Sequence, residues 1–210
     1  MSRKAFTLAE ILITLTVIGV VAALTIPTLL QNTNQAEFKT ALKREFADLS
    51  QATLSIKNDL GGSFVNAFSN DGSFKNAYRG KLSYIKECSS ASTEGCWHAA
   101  NTWYQLNGIK RSEYTQPGLI LNNGVLVDFY IVKSDCSAQF GSYSGCGGIE
   151  FDVNGFKTPN TIGKDIFGAH LTDDGLIPYG SRGYFDPNDS VNGCLPTARG
   201  WGCAAKYLYE

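Results

Sequence analysis

The apolar positions of this chain are gathered unevenly, and the densest run lies near its start. From Ile11 to Leu30 the sequence is almost wholly apolar, broken mainly by Thr14, Thr16, Thr25 and Thr28, and no charged side chain occurs between Ile11 and Ala36. About 20 helical residues rising about 1.5 Å each reach about 30 Å, the thickness of a bilayer core. Threonine hydroxyls bond back to helix carbonyls, so they are tolerated there. Beyond this run the pattern becomes amphipathic. Phe38, Leu42, Phe46, Leu49, Ile56 and Leu60 fall on one helical face, while Glu37, Lys39, Lys43, Arg44, Asp48 and Lys57 lie mostly off it. Gly61-Gly62 is the expected stop. Gly19 and Pro27 are the positions expected to bend or loosen the helix, since proline lacks an N–H and crowds the preceding turn.

Later segments change period. Residues 61–115 carry Gly-Gly, Asn-Asp-Gly and serine-rich stretches that read as loops around short elements, with Trp97, Trp103 and Tyr104 assigned to a core. Two apolar runs between Gly118 and Val132 flank Asn123-Gly124, a strong hairpin dipeptide. A further strand is expected at Ile149–Val153. Residues 152–167 read as one long loop, and glycine-rich loops are expected from there to the end. Antiparallel strands packed on the amphipathic half of a long helix make an α+β fold.

Composition sharpens this picture. The chain has 210 residues, 43% of them hydrophobic and 18% charged, with a net charge of −1. A dedicated nucleic-acid binder usually carries a large basic excess, so no nucleic-acid partner is expected. The six cysteines, Cys88, Cys96, Cys136, Cys146, Cys194 and Cys203, all follow residue 80. An even set beyond a membrane segment points to disulfides in an oxidising compartment. Six cysteines allow 15 pairings and the sequence does not decide among them. The expectation is three local bridges, Cys88–Cys96, Cys136–Cys146 and Cys194–Cys203, each closing a loop of about ten residues worth about 2.5–3 kcal/mol.

Catalytic chemistry finds little support. There is no G-x-S-x-G elbow, phosphate loop or dinucleotide fingerprint, and His98 and His170 carry no local motif, so no enzyme is expected. Asp152, Asn154, Asn160 and Asp165 offer hard oxygen ligands of the kind Ca²⁺ takes, without EF-hand spacing. The same residue types also cap their own backbone in turns, so a calcium site and a self-capped loop are both open. No other cofactor is implied.

Three readings fit the first 30 residues. One is a secretory signal peptide with Ser2-Arg3-Lys4 as its basic start and a cut near Val21-Ala22-Ala23. The second is an uncleaved anchor. The third is a signal cut on the cytoplasmic side, before the apolar run. Glu10 bears on the choice, because an acidic residue at the membrane centre costs about 2.5–3.5 kcal/mol on insertion scales. If cleavage exposed the amine of Phe6, that cation could pair with Glu10 of a neighbouring subunit and set the register between them.

The stretch Lys4-Ala5-Phe6-Thr7-Leu8-Ala9-Glu10, followed at once by the apolar run, resembles the class III signal of type IV pilins and type II secretion pseudopilins. In that family a prepilin peptidase cuts before the Phe and methylates its new amine, and the Glu at the fifth mature position serves assembly. Phe6 and Glu10 match those positions. Ala5 stands where the family usually has Gly. The resemblance implies a leader at 1–5, a membrane and filament-core helix at 6–30, an amphipathic continuation at 31–60 and a globular α+β head at 61–210. It also implies a bacterial inner-membrane protein of one span, its head in the periplasm or outside, on the cell surface if a pilus forms. Arg3 and Lys4 on the cytoplasmic side agree with the positive-inside rule. Expected partners are the peptidase, other pilin or pseudopilin subunits, the inner-membrane assembly platform and membrane lipid. The strand order resembles the pilin fold, residues 152–167 resemble a loop common in pseudopilin-like proteins, and a Cys194–Cys203 bridge resembles the C-terminal disulfide loop of type IV pilins. The runner-up function is a minor-pilin binding module, an adhesin or a DNA-capture tip subunit with a basic stripe near Lys110 and Arg111.

Overall fold

A computed structural model describes residues 7–210, apart from the side chains of residues 27, 28 and 30 to 32. Ala5 and Phe6 lie outside the described residues. The first element, α1, runs Leu8–Asp59 as one helix through both Gly19 and Pro27. The chain divides into two units, with the boundary between Glu37 and Phe38.

In the first unit, Leu8–Ile26 is long and apolar enough to cross a membrane, and none of it is buried within the protein. The threonine hydroxyls bond backwards as expected. Thr14 Oγ1 donates to the Glu10 carbonyl at 3.0 Å, Thr16 to Leu12 at 2.7 Å and Thr25 to Val21 at 2.9 Å. Among the described residues of Leu8–Ile26, the outward side chains other than Glu10 are therefore largely apolar.

The second unit is an α+β domain. Leu42, Leu49, Ala52 and Ile56 of α1 are buried in its core, with Phe38 and Phe46 partly so. Leu60, expected on the same face, is exposed, because the helix has already ended at Asp59 and the chain turns through Gly61 and Gly62 at positive φ. The Gly62 N–H closes on the Lys57 carbonyl at 2.8 Å, so glycine satisfies the last turn in a conformation other residues resist.

A six-stranded antiparallel sheet forms the other side of this core: β1 (Tyr84–Cys88), β2 (Gly118–Leu121), β3 (Leu126–Ile131), β6 (Gly147–Asp152), β7 (Ile166–Thr172) and β8 (Gly175–Pro178), in that spatial order. A separate hairpin pairs β4 (Ala138–Phe140) with β5 (Tyr143–Gly145). The β2–β3 turn is the expected Asn123-Gly124, with Gly124 at φ +87° and the Asn123 Oδ1 accepting from Val125 N at 3.1 Å. The expected strand at 149–153 is β6, two residues longer at its start and one shorter at its end.

Three segments read as loops are regular elements. Asn-Asp-Gly begins α2 (Asp71–Arg79), because the Asn70 side chain accepts from Ser73 N while Ser73 Oγ accepts from Asn70 N, a reciprocal cap that overrides the turn tendency. Ile166 and Phe167 open β7, which pairs with β6 along its length and with β8 across a tight turn. The C-terminus ends in α3 (Cys203–Tyr209). Trp97 and Trp103 are buried as expected, while Tyr104 is only half-buried.

All three local disulfides are present: Cys88–Cys96, Cys136–Cys146 and Cys194–Cys203. The first ties β1 to the loop that follows it, the second links the ends of the β4–β5 hairpin, and the third anchors the start of α3.

Candidate functional site

Glu10 stands in the first turn of α1 and faces outward. Its carboxylate accepts from Thr7 N at 2.8 Å and from Thr7 Oγ1 at 2.9 Å, while Thr7 Oγ1 accepts from Glu10 N at 3.3 Å. This is a capping box, two helix-end donors satisfied reciprocally. Thr-x-x-Glu was present in the sequence, so a local role for Glu10 was readable there and was missed. The cap occupies one carboxylate oxygen, Oε2, and leaves the charge on the otherwise apolar segment Leu8–Ile26.

The loop between β6 and β7 begins and ends on buried carboxylates. Asp152 Oδ1 accepts from Asn154 N at 3.0 Å. Asp165 accepts from Asn160 N at 2.7 Å and Thr161 N at 2.6 Å, one on each oxygen. Asp152 Oδ2 meets His98 Nε2 at 2.8 Å, and both side chains are almost wholly enclosed. His98 packs edge-on to Trp97 and Phe156. Burial pushes His98 down to about 4 and holds Asp152 well above its usual range, so it disfavours the charged form of both. Burial, with Asp152 nearby, lifts Asp165 to about 7.

The structure thus brings together all four residues singled out for calcium, and uses them differently. Three of the four carboxylate oxygens of Asp152 and Asp165 accept from the loop's own backbone, and the fourth, Asp152 Oδ2, is engaged with His98. Asn154 and Asn160 each keep one buried side-chain oxygen without a partner. Among the described residues no group of three or more His, Cys, Asp or Glu is placed to hold a metal. The arrangement fits self-capping better than a cation cage. Asp165→Asn replaces an acceptor with an amide donor facing a backbone N–H, and is expected to lower stability by about 1–3 kcal/mol. Calcium or a chelator is expected to leave the melting midpoint of the full chain unchanged. A calcium-dependent rise in that midpoint, lost in the variant, would contradict self-capping.

A second buried cluster had no signal in sequence spacing. Asp128 on β3 and Glu150 on β6 are cross-strand partners in register, and both are buried. The Tyr114 hydroxyl donates to Glu150 Oε2, the Tyr179 hydroxyl lies 3.5 Å from Oε1, and the Tyr130 and Tyr179 hydroxyls meet. Asp128 Oδ1 has no hydrogen-bond partner. Arg111 lies over the Trp103 ring at 5.3 Å, its Nε shielded and unpartnered. Burial and then the Glu150 charge hold Asp128 well above its usual range, with Asp71 adding to this. Burial lifts Glu150 to about 7 against the pull of Tyr114 and Arg111.

The sign of the pH dependence follows. A carboxyl raised in the fold holds a proton that the unfolded chain has released, so stability falls as pH rises from about 4 through the folded value. His98 and His170, depressed by burial to about 4 and about 3, act oppositely, but only below the ordinary imidazole value of about 6.5. Above about pH 7 the carboxyls alone set the slope, at up to about 1.4 kcal/mol per pH unit for each proton released. The melting midpoint is expected to fall from about pH 6.5 to about 8, through the folded values of Glu150 and Asp165, and Glu150→Gln to flatten that fall. Parallel curves for the two proteins would contradict the assignment.

Comparison with known proteins gave no match to a family model, a curated protein or a solved structure.

Proposed function

We propose that this chain is a structural subunit of a filament, a pilin or secretion pseudopilin, held in a membrane by the first part of α1 until it assembles. One observation carries the reading: a helix of apolar outward faces bears a single carboxylate in its first turn and continues at its other end into the core of a disulfide-bonded α+β domain. A plain anchor needs the apolar faces alone. In a filament those faces pack on one another in place of lipid, and the carboxylate takes the terminal amine of a neighbour.

In this account a peptidase removes Met1–Ala5 and methylates Phe6. Glu10 then recruits that amine on an adjoining subunit, and helix packing draws the subunit out of the bilayer. The domain beyond the helix folds in an oxidising compartment, where its three bridges persist. The subunit's work is mechanical, with no catalysis of its own.

Ala5→Trp places a bulky ring beside the cut. It is expected to trap a precursor five residues longer in the membrane fraction, seen as a shift in intact mass, with filaments lost. Normal processing of that variant would contradict a cut before Phe6. The binding-module alternative gains little from Arg111, which is half-buried against Trp103, while Lys110 is exposed.

A further inference from the structure

The chain holds four Asn-Gly pairs, beginning at Asn107, Asn123, Asn154 and Asn192. A glycine has no Cβ to keep its backbone nitrogen from the preceding asparagine side chain, so such pairs are where an amide most readily turns into an acid. What that change does depends on what the amide touches. Asn107 Oδ1 accepts from Ile109 N at 3.2 Å, a bond that an acid keeps. Asn192 Oδ1 accepts from Arg199 Nη1 at 3.3 Å, where an added negative charge strengthens the contact. Asn154 Nδ2 donates to the neutral Thr158 carbonyl at 3.2 Å. Asn123 differs from all three. Its Nδ2 donates to Glu45 Oε2 at 3.0 Å, and Glu45 has only 2% of its surface exposed. Its Oδ1 accepts from Val125 N at 3.1 Å, so the side chain is held at both ends. Asn123 and Gly124 themselves stand exposed at the tip of the β2–β3 turn.

We propose that Asn123 is a deamidation site whose product undocks the β2–β3 turn from α1. The Gly124 nitrogen, giving up its proton, attacks the Asn123 side-chain carbon Cγ. A C–N bond forms, the Cγ–Nδ2 bond breaks, and ammonia leaves with that proton. Water then opens the five-membered imide at either carbonyl, leaving aspartate or isoaspartate. In the folded domain the Gly124 N–H donates to the Leu121 carbonyl at 2.9 Å, and the amide is held by Glu45 and Val125, so the turn must open before the ring can close. Either product lacks the N–H that Glu45 accepts, and sets a second carboxylate against a buried one. Isoaspartate also adds a carbon to the backbone of the turn that fixes the β2–β3 register. The site lies wholly in the second unit, so it stands or falls apart from filament assembly.

The test ages the full chain in detergent micelles at pH 8 and 37 °C, then maps its peptides by mass spectrometry with isoaspartate detection. Aspartate and isoaspartate are expected to accumulate at position 123, at least about ten times faster in the reduced chain in urea than in the folded one, since closure waits on local opening. Asn123→Asp is expected to lower the melting midpoint by about 5 °C, the shift for a buried acceptor that loses its donor. Asn107→Asp is the control expected to melt as the wild type does. In a Glu45→Gln background the loss from Asn123→Asp is expected to shrink to less than about half, because the glutamine amide donates to the new carboxylate. If Asn123→Asp does not fold, aged wild-type protein gives the same reading: modification at position 123 is expected to concentrate in the aggregated fraction, and at position 107 to divide evenly. No modification at position 123 in either state, equal rates folded and unfolded, a wild-type midpoint for Asn123→Asp, a loss undiminished by Glu45→Gln, or an even division at position 123 would overturn the proposal.

Discussion

Glu10→Gln is expected to leave the chain inserted in the membrane at normal levels and to reduce filament assembly by at least an order of magnitude. The choice of glutamine matters. Glu10 closes a capping box with Thr7, and a glutamine at the same place closes the same box. Helix entry is therefore preserved while the charge is removed. Glu10→Ala would lose both, and its phenotype would mix a lost cap, worth about 0.5–2 kcal/mol, with a lost ion pair. In a low-dielectric filament core an unpartnered terminal amine carries a penalty of several kcal/mol, so removing its counter-charge should act strongly on assembly and weakly on insertion. Membrane fractionation and electron microscopy of sheared filaments read the two effects separately. Full assembly by Glu10→Gln would falsify the register role and leave capping as the residue's purpose.

Trp103→Ala is expected to give the largest loss of stability in the α+β domain, about 3–5 kcal/mol, because the site cannot collapse around the missing ring. Trp103 is fully buried, edge-on to Trp97 at 5.9 Å and to Tyr114 at 4.8 Å. Its indole N–H donates to the Ser112 carbonyl at 3.0 Å, and Arg111 lies over its face. Truncation removes the packing, leaves that carbonyl without its donor and frees the guanidinium from its ring. The expected fall in melting midpoint is on the order of 10 °C. Phe156→Ala, on an exposed ring that touches His98, should change it little. Equal losses from the two would show that the Trp103 cluster is not the core of this region.

The parts of the fold that were legible in the sequence are those dictated by local chemistry. Leu8–Ile26 is a long apolar run, Asn123-Gly124 makes a hairpin on its own, and each cysteine has its partner within ten residues. β7 was hidden because its Gly168 answers to packing against a neighbouring segment of the chain rather than to a turn. A Cβ on Gly168 would meet the Tyr179 ring at 2.2 Å, so glycine there marks close packing inside a strand rather than a loop. β7 is buried on both faces and shows no alternation to read. α2 was hidden by Asn70, whose side chain turns a loop signal into a helix start.

The buried polar contacts were the least legible. His98 and Asp152 lie 54 residues apart, and Asp128 and Glu150 meet only because β3 and β6 pair in one register. Glu45 belongs to the charged complement of an amphipathic helix until the Asn123 side chain reaches across to it at 3.0 Å. By contrast, the Thr7-x-x-Glu10 cap lies within four residues, and it competes with the proposed assembly role as an account of Glu10.

The cut before Phe6 separates a filament subunit from a secreted protein and from a plain anchor, and one measurement reads it. N-terminal sequencing with intact-mass analysis of the native protein is predicted to find a chain that starts at N-methylated Phe6, lacks Met1–Ala5 and carries three disulfides. A chain that starts at Leu24, or one that keeps Met1 through Ala5, would contradict the account.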